Sequence, residues 1–123
     1  MLSRIKQIAV VVADLEASKV FYRDRLGVPL LFEAPPGLAF FNCDGILLML
    51  SAANERERPQ PGSVLYFEVA DIQAAHTALQ ERGVSFVDEP HRVAELGHNE
   101  LWMSFFHDPD GTVLAIRAEV PKK

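Results

Sequence analysis

The 123-residue chain holds one cysteine and one tryptophan. With only Cys43, no intrachain disulfide can form, which fits a reducing compartment and an expected cytoplasmic location. Cys43 lies in an apolar run with no identifiable base partner, and reads as a small buried filler rather than a nucleophile. Long apolar stretches are missing: Ile8 to Val12 spans five residues and is too short for a signal core or a membrane span. Basic residues are outnumbered, 12 against 17 acidic, for a formal charge of −5. No Lys/Arg stripe forms, so neither a nucleic acid nor an anionic membrane is an expected partner. Gly-rich phosphate loops and a Gly-x-Ser-x-Gly elbow are also absent. The rest of the composition, 49% hydrophobic and 24% charged, is that of a folded globular chain rather than a disordered one.

What is present is a repeat. Val12-Ala13-Asp14-Leu15-Glu16-Ala17 recurs as Val69-Ala70-Asp71-Ile72-Gln73-Ala74, an offset of 57 residues. Each copy continues through an arginine to Gly-Val, at Gly27-Val28 and Gly83-Val84. Ile5 to Val12 and Val64 to Val69 are rich in β-branched and aromatic residues and read as strands. Asp14 and Asp71 are placed to cap helices over 15–26 and 72–82. Ile72, Ala75 and Leu79 supply the buried stripe of the second helix, with His76 assigned to its exposed side. Gly27 and Gly83 are suited to end the helices at positive φ.

Further strand candidates follow each helix. They are 29–33, 38–43 and 46–51 in the first copy. In the second they are 85–87, 91–94, and a hairpin of 101–106 with 112–117 around Asp108-Pro109-Asp110-Gly111. The organisation is two βαβββ modules, 1–53 and 63–118, joined by the polar linker 54–62. The fold class is α+β, with both modules contributing to one cupped mixed sheet.

The two copies of the Val-Ala-Asp signal, with Phe21-Tyr22, Leu26-Gly27 and Phe106-His107-Asp108-Pro109-Asp110-Gly111, resemble the vicinal oxygen chelate superfamily. That superfamily contains glyoxalase I, bleomycin- and fosfomycin-resistance proteins and extradiol dioxygenases. The resemblance covers nearly the whole chain and implies paired modules around a ligand cavity, commonly in a homodimer. It also implies a divalent metal in the enzymes, with ligands at four matching strand positions. Those positions are Gln7 and Val64, each seven residues before a capping Asp, with Met49 and Ala115 on the last strand of each module. Gln is a permitted ligand there; Met, Val and Ala offer no hard donor. A bound metal or other cofactor is therefore not expected.

Strand alternation from these positions gives a provisional cup lining. Gln7 brings Ala9 and Val11, Met49 brings Leu47 and Ser51, and Ala115 brings Val113 and Arg117. Val64 brings Tyr66 and Glu68, and the preceding strand is expected to turn Trp102, Ser104 and Phe106 inward. Each has a plainer reading: Gln7 as an edge hydrogen-bonder, Tyr66 and Trp102 as core, Glu68 as solvated or paired with Arg117. His91 enters a strand at the cavity mouth and suits general-base chemistry near neutral pH. A zinc site from His91, His98 and Glu100 matches no compact ligand spacing.

The candidate ligand-binding set is Gln7, Met49, Tyr66, Glu68, His91, Trp102, Ser104, Ala115 and Arg117. The expectation is a metal-free protein that binds a small, partly aromatic molecule. The alternatives are a glyoxalase- or dioxygenase-type lyase, isomerase or oxygenase with a relocated metal or an acid–base site, and a regulatory subunit with a vestigial cup.

Overall fold

A computed structural model describes residues 1–60 and 62–122. The chain divides into two compact units, 1–60 and 61–123, each holding one copy of the repeat. Of the expected linker, Pro61 lies outside the described residues.

The first unit runs β1 (Gln7–Val12), α1 (Leu15–Val20), β2 (Leu30–Ala34), β3 (Leu38–Cys43) and β4 (Ile46–Ala52). Its sheet has the order β1-β4-β3-β2, with β1 parallel to β4 and the other pairs antiparallel. Asp14 caps α1 as expected, its carboxylate accepting from the Ala17 N–H at 3.1 Å. The helix does not stay α-helical to Leu26, because Phe21–Arg25 form a π-turn closed by Leu26 N–H to Phe21 C=O. This wider turn carries Phe21 and Tyr22, both buried, with Tyr22 6.2 Å from Phe41 between ring centres. Gly27 follows at φ 77°, the left-handed conformation a helix stop requires. Lys19 is buried against β2, 2.6 Å from Glu33 and 2.8 Å from Glu16. These hydrogen bonds, Glu16 first, hold its ammonium above the usual lysine range.

The second unit runs β5 (Leu65–Glu68), α2 (Ile72–Glu81), β6 (His91–Leu96), β7 (Asn99–His107) and β8 (Val113–Pro121). Its order, β5-β8-β7-β6, repeats that of the first unit, again with the edge strand parallel to the last. Asp71 caps α2 by accepting from Ala74 N–H at 3.0 Å. The expected strand 85–87 is absent. Phe86 makes an isolated bridge to Phe106, since Val87 N–H is spent on Phe105 C=O and the chain then bends away.

In each unit the helix seals one sheet face. Val12, Ala39, Phe41, Leu48 and Leu50 are buried in the first unit. In the second, Ile72, Val84, Phe106, Leu114, Ile116 and Ala118 are buried. His76 corrects the expected outward orientation: it lies one turn after Ile72 on the same stripe, is 4% exposed, and packs its ring 4.2 Å from Phe86. Among the described residues, no helix is long and apolar enough to cross a membrane.

Phe106 joins these layers, 1% exposed and 5.2 Å from Phe86. We expect Phe106→Ala to destabilise the protein by about 3–5 kcal/mol, the usual cost of deleting a buried aromatic ring. Urea unfolding of the two proteins measures it, and a loss under about 1 kcal/mol would contradict this core assignment.

Candidate functional site

A strand sends alternate side chains to opposite faces, so sealing one face with a helix leaves the other for ligands. In the first unit, β1 and β4 pair Gln7 with Leu47, Ala9 with Met49 and Val11 with Ser51. These six stand opposite the buried set of Val12, Leu48 and Leu50. Phe40 pairs with Met49 and Phe32 with Phe40, extending the same face across β3 and β2. The Phe32 and Phe40 rings stack at 4.6 Å with 20° between planes. Gln7 is the polar group beside Met49, its amide N–H₂ 3.7 Å from the thioether sulfur.

The second unit repeats this register. Ala115 pairs with Tyr66, as Met49 pairs with Ala9, and Tyr66 stands 57 residues after Ala9. Ala115 is fully buried, flanked by Tyr66 on one side and Phe105 on the other. Those two rings meet edge-on at 6.0 Å. One step along, Glu68, Arg117, Met103 and His91 form a row across all four strands. Arg117 is 3.3 Å from both Glu68 and Glu119, two loose ion pairs that orient the guanidinium more than they stabilise the fold.

Trp102, Ser104 and Phe106 do not turn toward this face. They pair with Ala118, Ile116 and Leu114, all on the helix-covered side. Ser104 is fully buried and donates to the Asp88 main-chain carbonyl at 3.0 Å. Trp102 donates its indole N–H to Glu100 at 3.2 Å, and borders a cavity of about 310 Å³ with Ile72, Val120 and Pro121. The face opposite the helix instead carries Leu101, Met103 and Phe105.

The cause of the inversion is one residue in the hairpin connection. A four-residue turn over 108–111 would pair His107 with Thr112 and place Ser104 beside Ala115. The observed connection includes Thr112, so His107 pairs with Val113 and Phe105 with Ala115. Asp108 closes the longer loop by donating its N–H to Thr112 C=O at 3.0 Å. Its carboxylate accepts from the N–H groups of Asp110 and Thr112, both at 2.9 Å. A slip of one exchanges every side chain between faces. The asparagine-like bonding capacity of Asp108 was the signal for a longer loop.

The donor set at the four metal-ligand positions does not fit a hard divalent cation. Gln7 supplies one amide oxygen, while Met49, Val64 and Ala115 supply neither oxygen nor imidazole. Among the described residues, no three His, Cys, Asp or Glu side chains are grouped to hold a metal ion. His91, His98 and Glu100 are thus not assembled: His98 sits in the β6–β7 turn and Glu100 is taken up by Trp102 and Arg92. Cys43 is half-buried and burial pushes its thiol above the usual range, which opposes thiolate chemistry.

His91 is the imidazole of the row, which the sequence placed only at a cavity mouth. It begins β6, is half-exposed, and its Nδ1 lies 2.8 Å from the Glu89 main-chain oxygen and 3.8 Å from the Asp88 carboxylate. Asp88 is itself anchored by accepting from Ser104 Oγ at 3.2 Å and Phe105 N–H at 2.8 Å.

The family model of the Glyoxalase/Bleomycin resistance protein/Dioxygenase superfamily matches residues 4–116. The uncharacterized protein YraH of Bacillus subtilis is 28% identical over 126 residues, covering 92% of this chain and 96% of its own. A glyoxalase/bleomycin resistance protein/dioxygenase from Nocardioides is 28% identical with TM-score 0.74, over 98% of this chain and 87% of that one. The lactoylglutathione lyase of Agrobacterium tumefaciens shares the fold at TM-score 0.75 and 22% identity, over 96% and 95%. With a family model spanning both copies of the repeat, the chain belongs to the Glyoxalase/Bleomycin resistance protein/Dioxygenase superfamily.

Proposed function

We propose that this protein binds a small apolar or aromatic molecule on the sheet faces opposite its helices, and does so without the family's metal. The observation that carries the reading is the chemistry of those faces. Stacked Phe32 and Phe40, Met49, Ala9, and the edge-on pair of Tyr66 and Phe105 offer planar and polarisable apolar surface. Polar groups are few: Gln7, Asn42 and Ser51 in one unit, the Glu68–Arg117–Glu119 cluster and His91 in the other. An apolar wall with a few oriented polar groups is the usual make-up of a small-molecule site. The ligand-contacting residues on this reading are Gln7 and Met49 on the first unit's face, and Tyr66, Glu68, His91 and Arg117 on the second's; Ala115, fully buried, is not exposed to a ligand. Trp102 and Ser104 are not among them.

A thermal-shift screen of small aromatic compounds tests binding, since a ligand of the folded form raises the midpoint. We expect aromatic compounds to raise it in metal-free protein, with zinc, nickel, manganese and iron below stoichiometric levels after purification without chelator. A stoichiometric metal on Gln7 would return the protein to metal-dependent enzyme chemistry.

The sole tryptophan gives a second check. Trp102 lies on the helix-covered side of its sheet, so a bound ligand is expected to leave indole emission nearly unchanged while Tyr66→Ala weakens binding. Strong quenching that survives Tyr66→Ala would move the site to the helix side.

We further propose a cytoplasmic homodimer. The free thiol of Cys43 supports the compartment. The edge strand β2, with Leu31 and Phe32 each about half exposed, supports association through apolar surface. Sedimentation at micromolar concentration is expected to give twice the 13.7 kDa chain mass, and Phe32→Asp to give monomer.

A further inference from the structure

The hydrogen bond at His91 decides something that the imidazole alone leaves open. A neutral histidine carries its proton on either nitrogen, and the partner of one nitrogen determines the role of the other. The Nδ1 atom of His91 lies 2.8 Å from the main-chain oxygen of Glu89. A carbonyl oxygen only accepts, so the proton resides on Nδ1. The Asp88 carboxylate, 3.8 Å from the same nitrogen, favours the proton there too. Asp88 is fixed by its bonds to Ser104 and to the main chain of β7, so this bias is built into the sheet edge. Nε2 is left as a bare acceptor, and no hydrogen bond from a described residue reaches it.

His91 pairs across the sheet with Met103, and Met103 with Arg117, on the face opposite α2. Two strand spacings separate His91 from Arg117, roughly 10 Å, and Met103 between them offers an apolar floor the width of a ring. Arg117 presents only donors, and Glu68 and Glu119 hold it. His91 therefore adds what that end of the row otherwise lacks, a neutral acceptor beside an apolar floor.

We infer that His91 Nε2 is the acceptor for a hydroxyl of the bound molecule, so that the ligand is a small aromatic or apolar compound bearing a hydrogen-bond donor. This inference rests on the binding reading above and adds the ligand's polar group and its contact.

The test uses ¹⁵N-labelled full-length protein at a pH above the histidine range. Nitrogen–proton correlation spectra, assigned with His91→Ala, report which ring nitrogen carries the proton. We expect Nδ1–H and an unprotonated Nε2. Phenol and anisole then serve as probes, with the same ring and with or without the donor. Phenol is expected to move the Nε2 resonance and to bind about three- to tenfold tighter than anisole, the worth of one neutral hydrogen bond. His91→Ala is expected to erase that difference, so that phenol and anisole bind the variant equally. A proton on Nε2, or equal binding of the two probes by the native protein, overturns the inference and leaves the general binding reading standing. Failure of both probes to bind anywhere on this face overturns both.

Discussion

The structure depends on one pairing made twice, the parallel alignment of each unit's first strand with its last. Parallel neighbours cannot be joined by a tight turn; the chain must cross over, and here the helix begins that crossover. β1 lies beside β4 and β5 beside β8, and the helix that follows each edge strand folds onto the sheet. That leaves one face of each sheet covered by its helix and the other face not covered by it. The same pairing sets Ala9 beside Met49 and Tyr66 beside Ala115, equivalent positions in the two copies.

Within that frame the two open faces have diverged. The first unit's face is mostly apolar, with the Gln7 amide turned toward a sulfur and Asn42 and Ser51 beside it. The second carries the charges: Arg117 between two carboxylates, and His91 at the far end of the row. Of the four positions at which the resemblance implies metal ligands, Gln7, Met49, Val64 and Ala115, only Gln7 carries a side-chain oxygen. The chemistry available to the remaining side chains is stacking, dispersion, and a few directional hydrogen bonds. This is why a proton-accepting nitrogen with a fixed tautomer carries weight: on an apolar surface one unpaired acceptor discriminates strongly between molecules that satisfy it and molecules that do not.

Two departures from expectation have different local causes. His76 looked like a surface residue because imidazole is polar, yet it sits four residues after Ile72 and packs its ring against Phe86. Trp102, Ser104 and Phe106 were expected on the cavity side, yet Asp108 bonds into the loop and adds Thr112 to it, which sets them on the helix side. Helical spacing decided the first, and hydrogen bonds within the hairpin loop the second.

The repeat, the capping aspartates, the helix-ending glycines and the loss of hard donors at Met49, Val64 and Ala115 are properties of the residues themselves. They follow from local conformational preference and ligand chemistry, and they hold whatever the detailed packing. The faces of β1, β4 and β5 were marked by the positions that the resemblance implies, at Gln7, Met49 and Val64. The faces of β7 were not. From Leu101 to Phe106 that strand has apolar side chains at all but one position, so no alternation marks its buried side. Only its hydrogen-bonded register with β8, set by a five-residue connection, determines that Phe105 rather than Ser104 stands beside Ala115. The tautomer of His91 belongs to the same class, because it depends on where the main chain of Glu89 comes to rest.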